Sequence, residues 1–210
     1  MLQTCLEYEE VTERQATAAS ARDRILEIAG ELFYRDGFRA VGVDTIVARA
    51  GVAKTTLYHH FPSKDELIVA YLEESNQRFW DWFESAIAAE QAPRAKLAAL
   101  FEAVATLAAS PQCLGCTFQG TAAEFPAQDH PGHRAARAHK EAVLDRLREL
   151  AAQAGARQPT ELARALLLVM DGAFAAARMF GERSPATAAP AAAATLLDAQ
   201  LPATRPRGRN

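Results

Sequence analysis

Four residues in the middle of the chain have types and spacing that could bind zinc. Cys113 and Cys116 form a C-x2-C pair, and His130 and His133 follow as an H-x2-H pair after thirteen intervening residues. Thiolates and imidazoles are zinc's preferred ligands, and paired spacing of this kind is typical of structural sites. The histidine spacing is shorter than usual, and a Pro-Gly pair lies inside it. We therefore expect no metal and no other cofactor, and keep a metal sensor as an alternative.

The same two cysteines could instead sense redox state. A C-x2-C pair in a cytosolic chain is a known redox arrangement, but no thioredoxin-like βαβ pattern accompanies Cys113 and Cys116. The chain has three cysteines, and an odd count argues against a disulfide framework and for a reducing cytosol. We expect a cytoplasmic protein, with a redox sensor as a further alternative.

A second group of chemically capable side chains is the run GVAKTTLYHHF at 51–61. It is too short to form an enzyme site alone, and the chain contains no G-x-S-x-G, phosphate-cradling or H-E-x-x-H motif. His139 falls on a long helical pattern, where we expect it to be exposed. The sequence therefore predicts that the protein is not an enzyme.

The composition favours helices and gives only a weak sign of a nucleic-acid partner. Half of the residues are hydrophobic, many of them alanine, and the net charge is -3. No apolar run reaches the length of a membrane span, and the first residues do not form a signal peptide. Residues 20–64 carry seven Lys or Arg against five Asp or Glu, which is a small excess of positive charge.

The elements that position these side chains are helices throughout. Ser20 and Asp23 predict a capping box at the start of the first helix. Gly37 predicts a left-handed residue that ends the same helix. Asp44 is the N-cap candidate of the next helix, and Gly51 ends it. Ser63 and Glu66 form a second capping box for a long helix over 63–89, and further helices are expected at 93–110, 117–125, 133–154, 160–181 and 186–201, where Pro190 predicts a late start or a kink.

Two short helices joined at residues 50–52 predict a helix-turn-helix. Gly51 supplies the positive φ that such a turn requires. The side chains expected to pack between the helices are Ile46, Val47, Val52, Leu57 and Phe61. The side chains left to face outward, where hydroxyl, aromatic and basic groups can reach bases and phosphates, are Lys54, Thr55, Thr56, Tyr58, His59 and His60.

The span from about Arg22 to Leu72 resembles the DNA-binding domain of the TetR family of bacterial transcriptional regulators. The matching pieces are ILEIAGELFYRDGF, VDTIVARAGVAKTTLYHHF and SKDELI, about a quarter of the chain. The resemblance implies an all-α homodimer with a three-helix DNA-binding domain and a larger helical domain that binds a small ligand and dimerises. It implies a cytoplasmic regulator, a repressor, whose partner is a pseudo-palindromic operator in double-stranded DNA.

The resemblance also assigns residues. Lys64, at the start of the fourth helix, corresponds to a lysine that contacts phosphate. Val47 replaces the usual alanine between the two helices, and Ala53 replaces the usual serine cap, which costs about 1 kcal/mol. The positions that correspond to the family's other DNA-facing residues are Thr45, Lys54, Thr55, Thr56, Tyr58 and His59.

The C-terminal part is expected to supply dimerisation and the ligand site. By the resemblance, the apolar helices at 160–181 and 186–201 pack against their mates in a four-helix bundle. Ordinary intrachain core is the competing interpretation for this apolar surface, and for each candidate pocket residue. Glu124 is a possible buried polar anchor. The candidates to contact a small-molecule effector are Trp82, Phe83, Phe101, Cys116, Phe118, Gln119, Met170 and Phe174.

These expectations divide the chain into four parts. Residues 1–19 form a disordered arm, 20–64 the DNA-binding domain, 65–202 the ligand-binding and dimerisation domain, and 203–210 a disordered tail. A regulator that activates, or one that needs no ligand, is an alternative, because sequence does not fix the sign of regulation.

Overall fold

The computed structural model describes residues 20–201, and within that range the chain forms nine α-helices and no strand. Two 3-10 turns, Gly181–Arg183 and Pro185–Ala188, precede the last helix. The expected all-α fold is confirmed, while the predicted arm at 1–19 and tail at 203–210 lie outside the described residues. The helices are α1 Ala21–Asp36, α2 Val43–Ala50, α3 Lys54–His60, α4 Lys64–Ile87, α5 Pro93–Ala109, α6 Thr117–Glu124, α7 Pro131–Gln153, α8 Pro159–Phe180 and α9 Ala189–Gln200. None of these helices is long and apolar enough to cross a membrane.

Most of the predicted helix ends are found where the capping chemistry places them. Ser20 and Asp23 form the complete capping box of α1. Ser63 Oγ accepts a hydrogen bond from the Glu66 N–H at 3.1 Å at the start of α4. Pro190 lies in the first turn of α9, where its missing N–H costs nothing, so the expected late start is confirmed.

Two predicted ends differ in their details. Gly37 ends α1 with a positive φ of 90°, but its ψ of 159° is not the left-handed helical conformation that we expected. The N-cap of α2 is Gly42 and not Asp44, and it provides no side-chain cap. Asp44 lies one residue inside the helix, where its carboxylate binds Lys54 instead of an N–H group at the helix end.

The chain packs as two compact units. The first contains the described residues up to Trp82 together with Ser110–Lys140, and the second contains Phe83–Ala109 and the residues from Glu141 onward. These units are defined by packing and not by function, so the predicted functional boundary at residue 64 stays a prediction.

The core of the first unit is built around the helix-turn-helix. Ile46, Leu57 and Phe61 are buried as predicted, and Val47 and Val52 are half-buried against the same cluster. Burial of each of these two aliphatic side chains and one aromatic ring contributes about 1.5–3 kcal/mol to the stability of the helix-turn-helix.

In the second unit, α5, α8 and α9 pack on one another. Two arginines bind the C-terminal end of α9. Arg94 forms an ion pair with Asp198, and Arg157 donates a hydrogen bond to the Ala199 carbonyl oxygen. Among the described residues, Leu168 and Met179 lie on one face of α8 and are 72% and 76% exposed.

His139 is buried, and our expectation of an exposed residue was wrong. Only 4% of it is accessible, its ring stacks on Phe118 at 3.6 Å between centroids, and Nδ1 lies 2.7 Å from Asn76 Oδ1. The reason is its register on α7, where it lies between Ala136 and Val143, three residues before and four residues after, both buried. Desolvation lowers the pKa of His139 from 6.5 to about 3.

This burial predicts an acid-sensitive stability. Because the folded pKa lies below the unfolded value, neutral His139 contributes fully above about pH 6.5, and the contribution is lost as the pH falls towards 3. Between pH 7.5 and 4.5 we expect a loss of about 2–3 kcal/mol in unfolding free energy from this group. Urea unfolding of wild type and His139→Gln across this range measures it. A decline equally steep in the variant would contradict the assignment.

Candidate nucleic-acid interface

The helix-turn-helix is formed by α2 and α3 and the three residues between them. Gly51 has φ 64° and ψ 37°, the left-handed conformation predicted for the turn, and the Val52 N–H donates to the Val47 carbonyl oxygen at 3.1 Å. Leu57 on α3 is fully buried and fixes the inner side of that helix. Ala53 is the N-cap of α3 and gives no side-chain hydrogen bond, as the sequence predicted.

Burial of one side of α3 leaves a polar surface on the other side. Tyr58 is 43% exposed, although it is a large aromatic residue. Thr56 is half-buried, and the other exposed side chains among the predicted contacts are Thr45, Lys54, Thr55 and His59. Their assignment to DNA stays a prediction, and their exposure makes them available for it.

Lys54 is held at the start of α3 by an ion pair that sequence reasoning missed. Its Nζ lies 2.8 Å from Asp44 Oδ1 on α2, and this hydrogen bond raises the pKa of Lys54. Both side chains are more than half exposed, so the pair contributes little to stability. Its effect is to orient the lysine while placing a negative charge beside it.

We expect Asp44→Asn to raise affinity for duplex DNA. The change removes a carboxylate that repels DNA phosphates, and it releases Lys54 to bind a phosphate. Both effects favour binding, and both occur in each protomer. An increase of about fivefold at low salt is expected, with a steeper dependence on salt concentration. Fluorescence anisotropy with a labelled duplex at several salt concentrations measures it, with Asp145→Asn as the control. Unchanged or weaker binding would count against the assignment.

Lys64 lies at the first position of α4, where the positive end of the helix adds to its own charge. Burial lowers its pKa, and the negative charges of Glu124 and Asp65 offset part of that change. The residue is therefore held beside the helix-turn-helix and is half-exposed, which suits a contact to phosphate.

The predicted effector contacts fall into the two packing units. Trp82, Cys116, Phe118 and Gln119 belong to the first unit, and Phe118 is buried against His139. The other four belong to the second unit, where each is almost fully buried. That second group consists of Phe83, Phe101, Met170 and Phe174. Their role in effector binding stays a prediction.

The four residues of the possible zinc site have other neighbours. His130 stacks on the Phe125 ring at 4.0 Å, and His133 Nδ1 lies 2.8 Å from the Phe125 carbonyl oxygen. Across residues 20–201 no three His, Cys, Asp or Glu side chains come together in a way that could hold a metal. Cys113 is buried and Cys116 half-buried, and neither forms a disulfide within the described residues.

Glu124 was expected as a possible anchor for a ligand, but it binds backbone instead. Its Oε1 accepts a hydrogen bond from the Phe38 N–H at 3.0 Å, and Oε2 accepts one from the Arg39 N–H at 2.7 Å. The contact joins residues 86 and 85 positions apart in the chain. No local pattern in the sequence could have indicated it.

Comparison with known proteins identifies relatives of this arrangement. A profile of bacterial regulatory proteins, tetR family, matches residues 25–71. A solved TetR-family transcriptional regulator from Streptomyces coelicolor is 34% identical, and the match covers 86% of this chain and 95% of that chain with a TM-score of 0.82. A putative TetR-type regulator from Streptomyces avermitilis is 36% identical over 87% of this chain and 98% of that chain, with a TM-score of 0.78.

Two curated relatives come from Mycolicibacterium smegmatis. The transcriptional repressor KstR2 is 35% identical over 89 residues, which is 40% of this chain and 42% of that protein. The transcriptional activator FasR is 38% identical over 82 residues, covering 39% of this chain and 37% of that protein. These matches therefore span less than half of either curated relative.

Proposed function

The chain belongs to the TetR family of bacterial regulatory proteins, and we propose that it is a homodimeric repressor released from its operator by a small molecule. The observation that carries the proposal is α3, which is buried on one side by Leu57 and presents Thr55, Tyr58 and His59 on the other. A helix exposed in this way next to a tight turn can enter a major groove. The relatives are regulators of transcription, which agrees with the expectation that the chain is not an enzyme.

The exposed face of α8 supports the proposed dimer. Leu168, Gly172, Ala175 and Met179 are all exposed and recur at intervals of four, three and four residues, so they form one stripe along the helix. On α9 the exposed face also carries small side chains, namely Ala191, Thr195 and Ala199. An apolar stripe beside small residues allows close helix packing, and a second copy supplies the same surface in a twofold arrangement.

A dimer has two copies of α3 and recognises both halves of a pseudo-palindromic operator. We propose that an effector bound among the helices after residue 64 moves those helices. The long helix α4 then passes this movement to the helix-turn-helix of α2 and α3, which we call the reader. When the distance between the two readers no longer matches the operator, the dimer binds only one half-site and loses the phosphate contacts at the other. The candidate effector contacts are the eight residues assigned above.

The sign of regulation and the signal have alternatives. The curated relatives include both a repressor and an activator, so activation is the first alternative. A ligand-independent regulator, or a redox sensor using Cys113 and Cys116, is the second. A pair of cysteines outside any disulfide could be oxidised, and thiol titration with and without a mild oxidant tests the redox alternative.

The proposal is tested in two steps with the full chain. Selection from a random duplex pool gives the operator, and a library of small metabolites is then screened for release of the labelled operator. Linkage requires that saturating operator weaken binding of the releasing compound by the same factor by which that compound weakens operator binding. A compound that releases DNA yet binds the free and DNA-bound protein equally would contradict the mechanism.

A further inference from the structure

We propose that Glu124 is a positioning residue for DNA recognition, through which α6 holds the turn that leads into the helix-turn-helix. This inference rests on the proposed function as an operator-binding regulator, and it assigns a task to a residue outside the DNA-facing surface. It begins from the two hydrogen bonds to the N–H groups of Phe38 and Arg39.

The two N–H groups form a small anion-binding site. They are consecutive in the chain and point to the two oxygens of one carboxylate, at 3.0 and 2.7 Å. Successive backbone N–H groups in a turn form such concave sites for negative groups, and hydrogen bonds to a charged acceptor are stronger than neutral ones. The turn therefore has a specific charged partner at this point.

Gly37 is adapted to the same contact. Its φ of 90° favours glycine, and a Cβ added there would lie 2.9 Å from Glu124 Oε1. The Phe125 ring packs beside the same turn. Its centroid lies 6.1 Å from the centroid of the Phe38 ring and 5.6 Å from the Arg39 guanidinium carbon. Backbone conformation, side-chain packing and charge all fit the carboxylate to this turn.

The position of Glu124 in α6 does not serve the helix itself. It is the last residue of α6, where a negative charge faces the negative end of the helix dipole. The other end of α6 is held in the buried part of the unit, because Thr117 Oγ1 donates to Tyr71 Oη at 3.1 Å and Phe118 stacks on His139. The helix therefore connects the buried part of the unit to the turn at residues 38–39.

The turn at residues 38–39 leads directly into α2, which carries Thr45 and packs against α3. Loss of the carboxylate leaves the two N–H groups without this acceptor and widens the range of orientations of the reader. We expect sequence-specific binding to suffer, because it requires the reader to fit base edges. Non-specific binding depends on charge near phosphates, and losing a carboxylate that acts on Lys64 is expected to leave it unchanged or slightly stronger.

The test compares wild type, Glu124→Ala, Glu124→Gln and the control Glu73→Ala, which removes an exposed carboxylate from α4. Binding to the duplex selected with the wild-type chain and to a scrambled duplex is measured by anisotropy. We expect Glu124→Ala to weaken binding to the selected duplex roughly tenfold, which is in the usual range for coupling between two sites of one protein. Its affinity for the scrambled duplex should stay within about twofold of the wild-type value. Glu124→Gln keeps one acceptor oxygen and is expected to recover part of the loss.

Hydrogen exchange separates positioning from a purely structural role. We expect the peptide spanning residues 37–42 to lose protection in Glu124→Ala while peptides from α8 and α9 keep theirs. Retained protection at 37–42, or lost protection with unchanged selected-duplex affinity, overturns the inference. A wild-type chain that prefers no duplex defeats the proposed function and the inference together, whereas equal binding by wild type and Glu124→Ala defeats the inference alone.

A double-mutant cycle with Gly37 gives a second measurement of the same contact. Gly37→Ala places a Cβ against the carboxylate, so its effect on selected-duplex affinity should be smaller when Glu124 is already alanine. The strain of a positive φ is the same in both backgrounds and cancels. Additive effects would contradict the inference.

Discussion

Replacing Tyr58 by alanine is expected to weaken binding to the selected operator roughly 100-fold, since about 1–2 kcal/mol is lost at each of two half-sites. Tyr58 is 43% exposed on α3, whose single aliphatic side chain, Leu57, is buried, so the ring and hydroxyl of Tyr58 are available to DNA. Because the side chain fills no core space, the unfolding free energy should change by less than about 0.5 kcal/mol. Operator titration together with urea unfolding measures both quantities.

Lys64→Ala provides the comparison for Tyr58→Ala. A phosphate contact carries no sequence information, so this variant should lose affinity for operator and scrambled duplex alike and reduce the salt slope by about one per protomer. Lys96→Ala is the matched control, because Lys96 is also half-exposed in the first turn of a helix. If Tyr58→Ala and Lys64→Ala both bound operator like wild type, the assignment of α3 as the reader would be wrong.

Leu168→Glu combined with Met179→Glu is expected to convert the protein to a monomer and to lower operator affinity by more than about 100-fold. Both residues lie on the exposed stripe of α8, and a twofold interface brings the stripes of two copies together. Each substitution therefore buries two carboxylates without partners. Size-exclusion chromatography with light scattering gives the mass, and anisotropy gives the affinity.

Ala152→Glu is the control for this pair, since it adds an exposed carboxylate on a different helix, α7. It should leave both the mass and the operator affinity unchanged. A wild-type chain that is monomeric at micromolar concentration, or a double variant that remains a dimer, would refute the proposed interface.

Local chemistry made the helix-turn-helix predictable from the sequence. Gly51 fixes the turn, and the apolar spacing of Ile46, Leu57 and Phe61 fixes which sides of α2 and α3 are buried. The missing cap at Ala53 was likewise visible, because a cap depends on a single side chain and the adjacent backbone. Each of these features depends on residues only a few positions apart.

Contacts between distant parts of the chain could not be predicted in the same way. The carboxylate of Glu124 binds a turn more than eighty residues away, and His139 is buried by packing against Phe118 and bonding to Asn76. Asp44 has the residue type of an N-cap, yet Gly42 takes that position and Asp44 binds Lys54 instead. Residue type alone did not distinguish between these partners.

The central claim is that a dimer places two copies of α3 on the two halves of one operator. It is tested most directly by comparing the selected inverted repeat with the same duplex in which one half-site is scrambled. The proposed arrangement predicts that scrambling one half-site lowers affinity at least about 100-fold, with two protomers bound per intact duplex. Equal affinity for the two duplexes, or one protomer per intact duplex, would contradict it.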